Sequence, residues 1–146
     1  MKQKEIYNKP VYYFAYGMLT DPEIMPNVEM IGVGILNNFK FEIFTYANVI
    51  ESNSNKVLGT LWAIDSRKLA ELDQIEGYPY LYNRKTVNVV VDGKKYSSQV
   101  YTMTDATRKQ MMGRSPSKQY INSIINGYRH AGIPIAQLKN GLEEIK

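Results

Sequence analysis

The hydrophobic and polar positions of this chain predict strands as far as Asp65 and helices interleaved with a further hairpin after it. Before it, apolar residues form short runs or alternate. Val-Tyr-Tyr-Phe-Ala-Tyr at 11–16 is unbroken and closes on Gly17, the pattern of a buried strand that feeds a tight turn. Residues 18–27 hold two prolines and predict irregular chain. The stretches 29–36 and 38–50, rich in Val, Ile, Phe and Tyr, predict strands joined by a turn at Asn37-Asn38. Polar 51–55 predicts a loop and 57–64 a further strand, so antiparallel hairpins are expected.

From Asp65 to Gly77 the period lengthens. Leu69, Leu72 and Ile75 recur at helical spacing and predict a core-facing stripe, with Asp65 as cap and Gly77 as stop. The runs 82–91 and 96–103 flank Asp92-Gly93-Lys94, a hairpin signal because Asp-Gly accepts the positive φ angles of a tight turn. Ser115-Pro116 predicts a helix start, serine as cap and proline at the first helical position. Its stripe of Tyr120, Ile121, Ile124, Ile125 and Tyr128 runs to Ala131, Gly132 ends it, and a last helix follows Pro134. About six strands with helices inserted late do not alternate as βαβ units do. The expected class is α+β: a curled, mostly antiparallel mixed sheet closing toward a barrel, with peripheral helices.

The length of 146 residues suits one domain over 1–146, with 1–10 as a flexible N-terminus. Twelve tyrosines stand out, since a ring with a polar tip suits half-wet surfaces such as pocket walls. The absence of cysteine excludes disulfides, thiolate metal sites and cysteine nucleophiles, and a single histidine, His130, excludes a multi-histidine metal centre. His130 is expected near a helix end, against terminal carbonyls. No apolar run approaches the ~20 residues of a membrane span, and 1–10 is polar and lysine-rich, so a soluble cytoplasmic protein without a membrane partner is expected. The net charge of +4 is uneven: residues 84–118 hold eight Lys or Arg against two Asp, a surplus of +6. Basic stripes of that kind are ordinarily solvated surface, and nucleic acid is not the expected partner.

One residue sits oddly in this pattern. Glu76 follows Leu72 by four and Leu69 by seven, so it leans toward the apolar face of its helix, in a last turn where a carboxylate meets the negative end of the helix dipole. Either it turns out to solvent or it is held partly dry for a reason.

Three places together, Phe14 to Leu19 (FAYGML), Leu72 to Gly77 (LDQIEG) and Pro116 to Tyr120 (PSKQY), resemble the γ-glutamylcyclotransferase (AIG2-like) family in order and spacing. The family's Y-G-S or Y-G-T turn corresponds to Tyr16-Gly17-Met18, and its L-D-x-x-E-G to Leu72 through Gly77. Its P-S-x-x-Y helix corresponds to Pro116 through Tyr120, and the G-(I/L)-P step after it to Gly132-Ile133-Pro134. The likeness spans 11–142.

What the resemblance implies is a metal-free, cofactor-free cyclisation on a small-molecule γ-glutamyl substrate. The free α-amine attacks its own γ-carbonyl, giving 5-oxoproline and releasing the attached amine. The attacking nitrogen must lose a proton and the leaving nitrogen must gain one, and one carboxyl with a pKa near neutrality can do both. Partial burial and the dipole both push the pKa of Glu76 upward, which makes it the expected general acid/base. The turn at Gly17, with backbone amides of Met18 and Leu19, would hold the substrate α-carboxylate or a developing oxyanion, and Gly17 would let the backbone approach closely.

Tyr16 is expected in the pocket wall. Tyr82 matches the tyrosine of the family's E-G-x-P-x-x-Y-x-R, to hydrogen-bond substrate or Glu76 or else to pack beside Tyr80. Tyr120 matches that of P-S-x-x-Y, and Asp73 reads as structural. Met18 departs from the family's Ser or Thr: it removes a hydroxyl, keeps the amide, and suits a narrower or more apolar pocket. Three alternatives stay open: an amide-cleaving transferase that removes a γ-glutamyl cap, a catalytically silent binder of a small anion on the same scaffold, and a polyanion binder built on 84–118.

Overall fold

The computed structural model describes residues 9–25 and 27–145. The stretch expected to be a flexible N-terminus therefore lies outside the described residues, save for Lys9 and Pro10, which are exposed and irregular. Five strands, β1 (Val11–Ala15), β2 (Glu29–Ile43), β3 (Ala47–Ile64), β4 (Tyr82–Val91) and β5 (Lys94–Met103), close a barrel in the order β1-β3-β2-β4-β5. Neighbours are antiparallel except β1 and β5, which run parallel where Tyr12 and Tyr13 meet Ser98 and Gln99. Four helices surround it: α1 (Ser66–Ile75), α2 (Asp105–Met111), α3 (Lys118–Ala131) and α4 (Ala136–Glu143). No helix of the described residues is long and apolar enough to cross a membrane.

The unbroken apolar run of β1 has a structural cause. Tyr13 and Ala15 face one hydrophobic cluster, with Trp62, Leu72 and Met103, while Phe14 and Tyr16 face another, with Leu61, Ile124 and Tyr128. A strand buried on both sides has no polar face to alternate with.

Two expectations about β2 and β3 need correction. Asn37-Asn38 is no turn: β2 continues through it by a bulge, with Asn38 at φ 64°. The extra residue shifts the parity of the strand, so Leu36 before it and Phe39, Phe41 and Ile43 after it all reach the same core, which a simple alternation could not do. The chain reverses at 44–46 instead, where Phe44 N–H donates to the Tyr46 carbonyl, 3.0 Å. The expected loop 51–55 belongs to β3. Its polar character reflects a register in which Asn37 pairs with Lys56 and Phe39 with Glu51, leaving 52–55 without partners on β2.

The β4–β5 turn is as expected, with Asp92 at φ 49° and Gly93 at φ 80°. Asp65 caps α1 by accepting from Lys68 N–H, 2.7 Å. Ile75, expected in the core, is 69% exposed against 1% for Leu72. The last turn of α1 stands at the mouth of a cavity that Ile75 helps to line. α3 starts at Lys118, later than expected, because Ser117 and not Ser115 caps it by accepting from Tyr120 N–H, 3.1 Å. Gly132 ends it in the left-handed region, φ 84°. α2 was not expected; Thr104 caps it by accepting from Thr107 N–H, 3.2 Å.

Candidate functional site

A cavity of about 420 Å³ opens where β1 runs out into Gly17. The tight turn there is a 3₁₀ turn, Met18–Thr20, and Thr20 closes it by donating N–H to the Gly17 carbonyl at 3.2 Å. The amides of Met18 and Leu19 have no acceptor among the described residues, and both residues line the cavity. A methyl built on Gly17 would meet Ala47 Cβ at 3.4 Å and the Tyr120 hydroxyl at 3.5 Å, which is ordinary contact. Ala47 and Tyr120 both line the cavity, so the bare backbone of Gly17 stands beside that wall without crowding.

Glu76 enters from α1. It occupies the C-cap, its N–H donating to the Leu72 carbonyl at 2.9 Å, so it follows Leu72 by one turn and shares its inward face. Gly77 then turns the chain at φ 64°, and a Cβ there would strike Leu81 at 2.8 Å. The end of α1 is fixed by Asp73, whose carboxylate accepts from Arg84 of β4 at 2.6 Å and from the Tyr101 hydroxyl of β5 at 2.6 Å. Asp73 is structural, as its sequence position suggested, and ties the helix to two strands one turn before Glu76.

Burial raises the Glu76 carboxyl from its ordinary range to about 7, with no charged neighbour contributing. No side chain among the described residues donates a hydrogen bond to it. An acid left unpaired in a partly dry cavity keeps its proton to near neutrality and has nothing in the protein to give it to.

The other residues expected at the site are also brought to this cavity: Tyr16, Gly17, Met18, Leu19, Tyr82 and Tyr120 all line it. Their hydroxyls are disposed differently from one another. Tyr16 donates to the Tyr101 carbonyl at 2.6 Å, and its own carbonyl accepts from Tyr128 of α3 at 2.7 Å, which fixes the strand end. Tyr82 donates to the Ala47 carbonyl at 2.9 Å, not to Glu76 or beside Tyr80, which is 84% exposed. Tyr120 accepts from Ala47 N–H at 3.1 Å, so its own proton stays available; burial lifts this phenol to about 12. One residue of β3, Ala47, thus anchors both tyrosines, through its N–H and its carbonyl.

His130 does not meet helix carbonyls. Its Nδ1 lies 2.9 Å from Asp21 Oδ1, neither residue lines the cavity, and that contact raises its pKa. Asp21, Glu23 and His130 form one small exposed-edge cluster. The basic surplus at 84–118 is partly cancelled, because Arg84 pairs with Asp73 and Arg108 with buried Glu42 at 2.8 Å.

Sequence reasoning missed Tyr13, Tyr46, Tyr101, Thr107 and Met111 in the lining. The last two lie on α2, whose only signal was Thr104-Asp105, a cap with an acid in the first turn.

The sequence profile of the family described as γ-glutamyl cyclotransferase, AIG2-like, matches residues 13–122. The γ-glutamylcyclotransferase of Bos taurus is similar at 27% identity, over 87% of this chain and 74% of that one. A protein of Methanocaldococcus jannaschii, provisionally named a γ-glutamylcyclotransferase, is 28% identical over 101 residues, 62% of this chain and 82% of the other. A solved structure described as a γ-glutamyl cyclotransferase superposes with a TM-score of 0.76 at 25% identity, covering 94% of this chain and 89% of its own.

Proposed function

The chain belongs to the γ-glutamyl cyclotransferase, AIG2-like family, and from that premise we propose that it converts a γ-glutamyl amino acid, peptide or amine to 5-oxoproline and the released amine, with Glu76 as general acid/base. The observation that carries this reading is a carboxyl lifted to about 7 by burial, unpaired, in the same cavity as the free amides of the turn after β1.

In this mechanism the substrate α-carboxylate lies on the amides of Met18 and Leu19 beside the Tyr120 hydroxyl, which has a proton to donate. That seat turns the α-amine toward its own γ-carbonyl, so attack is intramolecular and needs only orientation. Ionised Glu76 takes a proton from the α-amine as the nitrogen bonds to the γ-carbon. The same proton then passes to the nitrogen attached to that carbon, the carbon–nitrogen bond breaks, and 5-oxoproline and a neutral amine depart. Glu76 ends the cycle ionised, and no other group changes its proton count.

The test is a panel of γ-glutamyl compounds assayed for 5-oxoproline with wild type and Glu76→Gln. Turnover by wild type and its loss in the variant, with binding of substrate retained, is the expected result. Binding without turnover in both would instead favour a silent small-anion binder, the reading to which Met18, 39% exposed where the family carries a hydroxyl, lends some weight.

A further inference from the structure

The cavity wall contains one buried hydroxyl to which the mechanism has given no task. Tyr13, on β1, is 4% exposed and paired across the sheet with Trp62 of β3 and Gln99 of β5. Its backbone is thus held on both strand edges, and its ring packs edge-on against Tyr101, centroids 5.9 Å apart. The other buried tyrosines of the lining all donate their hydroxyl protons within the protein, Tyr16 to the Tyr101 carbonyl, Tyr82 to the Ala47 carbonyl and Tyr101 to Asp73, while half-buried Tyr120 accepts from Ala47 N–H and keeps its proton for the α-carboxylate. The Tyr13 hydroxyl has no partner among the described residues. Yet no fully enclosed side-chain oxygen or nitrogen among those residues is left unsatisfied, so the Tyr13 oxygen is not sealed in protein. It opens into the cavity that the ring lines. An unpartnered hydroxyl on an otherwise buried side chain is unfavourable unless something outside the fold satisfies it.

Resting on the reading of Glu76 given above, we propose that Tyr13 is a catalytic hydrogen-bond donor to the substrate's γ-carbonyl oxygen, stabilising the charge that develops there as the α-amine adds. The placement argues for that oxygen over the α-carboxylate. Tyr120 stands against Gly17 and serves the turn, whereas Tyr13 packs on Tyr101, whose hydroxyl holds Asp73 on α1 one turn before Glu76. Glu76 must reach both nitrogens bonded to the γ-carbon, so a donor beside it lies beside that carbon too. Burial pushes the Tyr13 phenol well above its ordinary range, which keeps it a donor throughout the working pH. In the addition step the carbonyl double bond opens onto oxygen, and the negative oxygen accepts a hydrogen bond from Tyr13 O–H without taking its proton. On collapse the double bond re-forms and the leaving nitrogen departs with the proton carried by Glu76.

The experiment compares wild type, Tyr13→Phe and Tyr12→Phe for 5-oxoproline release from the γ-glutamyl panel, with pH profiles and thermal midpoints. Tyr12 is the neighbouring ring on the strand's other side, in edge contact with Tyr96 at 4.9 Å, and controls for loss of a β1 phenol. Tyr13→Phe is expected to lose about 100-fold or more in kcat, the scale of one oxyanion donor, with KM, the midpoint of about 7 in the pH profile and the thermal midpoint unchanged. Tyr12→Phe should match wild type. A Tyr13→Phe kcat equal to wild type, a loss confined to KM, or a loss that disappears at a temperature where the variant is fully folded overturns the assignment while leaving the proposed function standing. A wild type that releases no 5-oxoproline from any member of the panel removes both.

Discussion

In the proposed reaction Glu76 combines two properties that ordinarily exclude each other, a charge to be used and a place that disfavours charge. Because its carboxyl is raised to about 7, kcat/KM for a substrate with its amine in a fixed state should rise with pH through a midpoint near that value, and a midpoint in the ordinary glutamate range would contradict the assignment. The same shift has a consequence for stability, with the opposite sign from a salt-bridged acid. The folded form binds the proton more tightly than the unfolded form, so this stabilisation is complete below the unfolded pKa of 4.5 and is lost as pH rises through about 7. Removing the acid removes the loss: Glu76→Gln should be more stable than wild type above pH ~7, by up to roughly 3 kcal/mol. Urea unfolding of the pair on either side of neutrality checks it. Position 76 was legible in sequence because an acid at four and seven residues from two leucines is a conflict of pattern. Tyr13 was not, because a tyrosine inside an apolar strand looks like packing until its hydroxyl is found without a partner.

At the scale of elements, two contacts aim the site. Asp73 fixes the end of α1 against β4 and β5, so Asp73→Ala should strand the Arg84 guanidinium and the Tyr101 hydroxyl at a cost of about 1–3 kcal/mol. It should also lower kcat more than it raises KM, since it loosens the acid and not the turn. The complementary contact is between α3 and the turn itself. A Cβ on Gly127 would stand 2.3 Å from Thr20 Oγ1 and 3.2 Å from Asp21 N. Gly127→Ala must therefore push the 3₁₀ turn off the helix, with an overpacking cost of roughly 1–3 kcal/mol, and steady-state kinetics should show a raised KM with kcat less changed. The long periodic elements, α1, α3 and the Asp92-Gly93 hairpin, were readable from local pattern. The bulge at Asn38 and the seven-residue α2 were not. A bulge matters only through which side later residues face, and so short a helix has too few turns to set up a stripe.

On the scale of the whole molecule, four of the eight exposed large hydrophobic side chains among the described residues line the site. Met18, Tyr46, Ile75 and Leu81, all 39% exposed or more, line the cavity, and Glu76 is its sole acidic or basic residue among those described. A leaving group resting on such a rim gains from apolar contact and finds no cation for a second carboxylate. Release of 5-oxoproline from the γ-glutamyl derivative of an apolar amine should accordingly exceed that from γ-glutamylglycine by roughly 10-fold in kcat/KM, the worth of one or two methylenes in an apolar pocket. Equal rates would mean the rim takes no part in selection. By itself the sequence determined the class of fold, the helix limits set by Asp65, Gly77 and Gly132, and the one acid out of place. These are local matters: period, cap and turn chemistry act over a few residues and leave their mark in order along the chain. Tertiary structure alone decided that β1 closes the barrel on β5, that Asp73 faces Arg84 and not Glu76, and that the hydroxyl of buried Tyr13 meets no protein partner among the described residues. Those outcomes depend on which distant residues meet, and no window of the chain contains both partners.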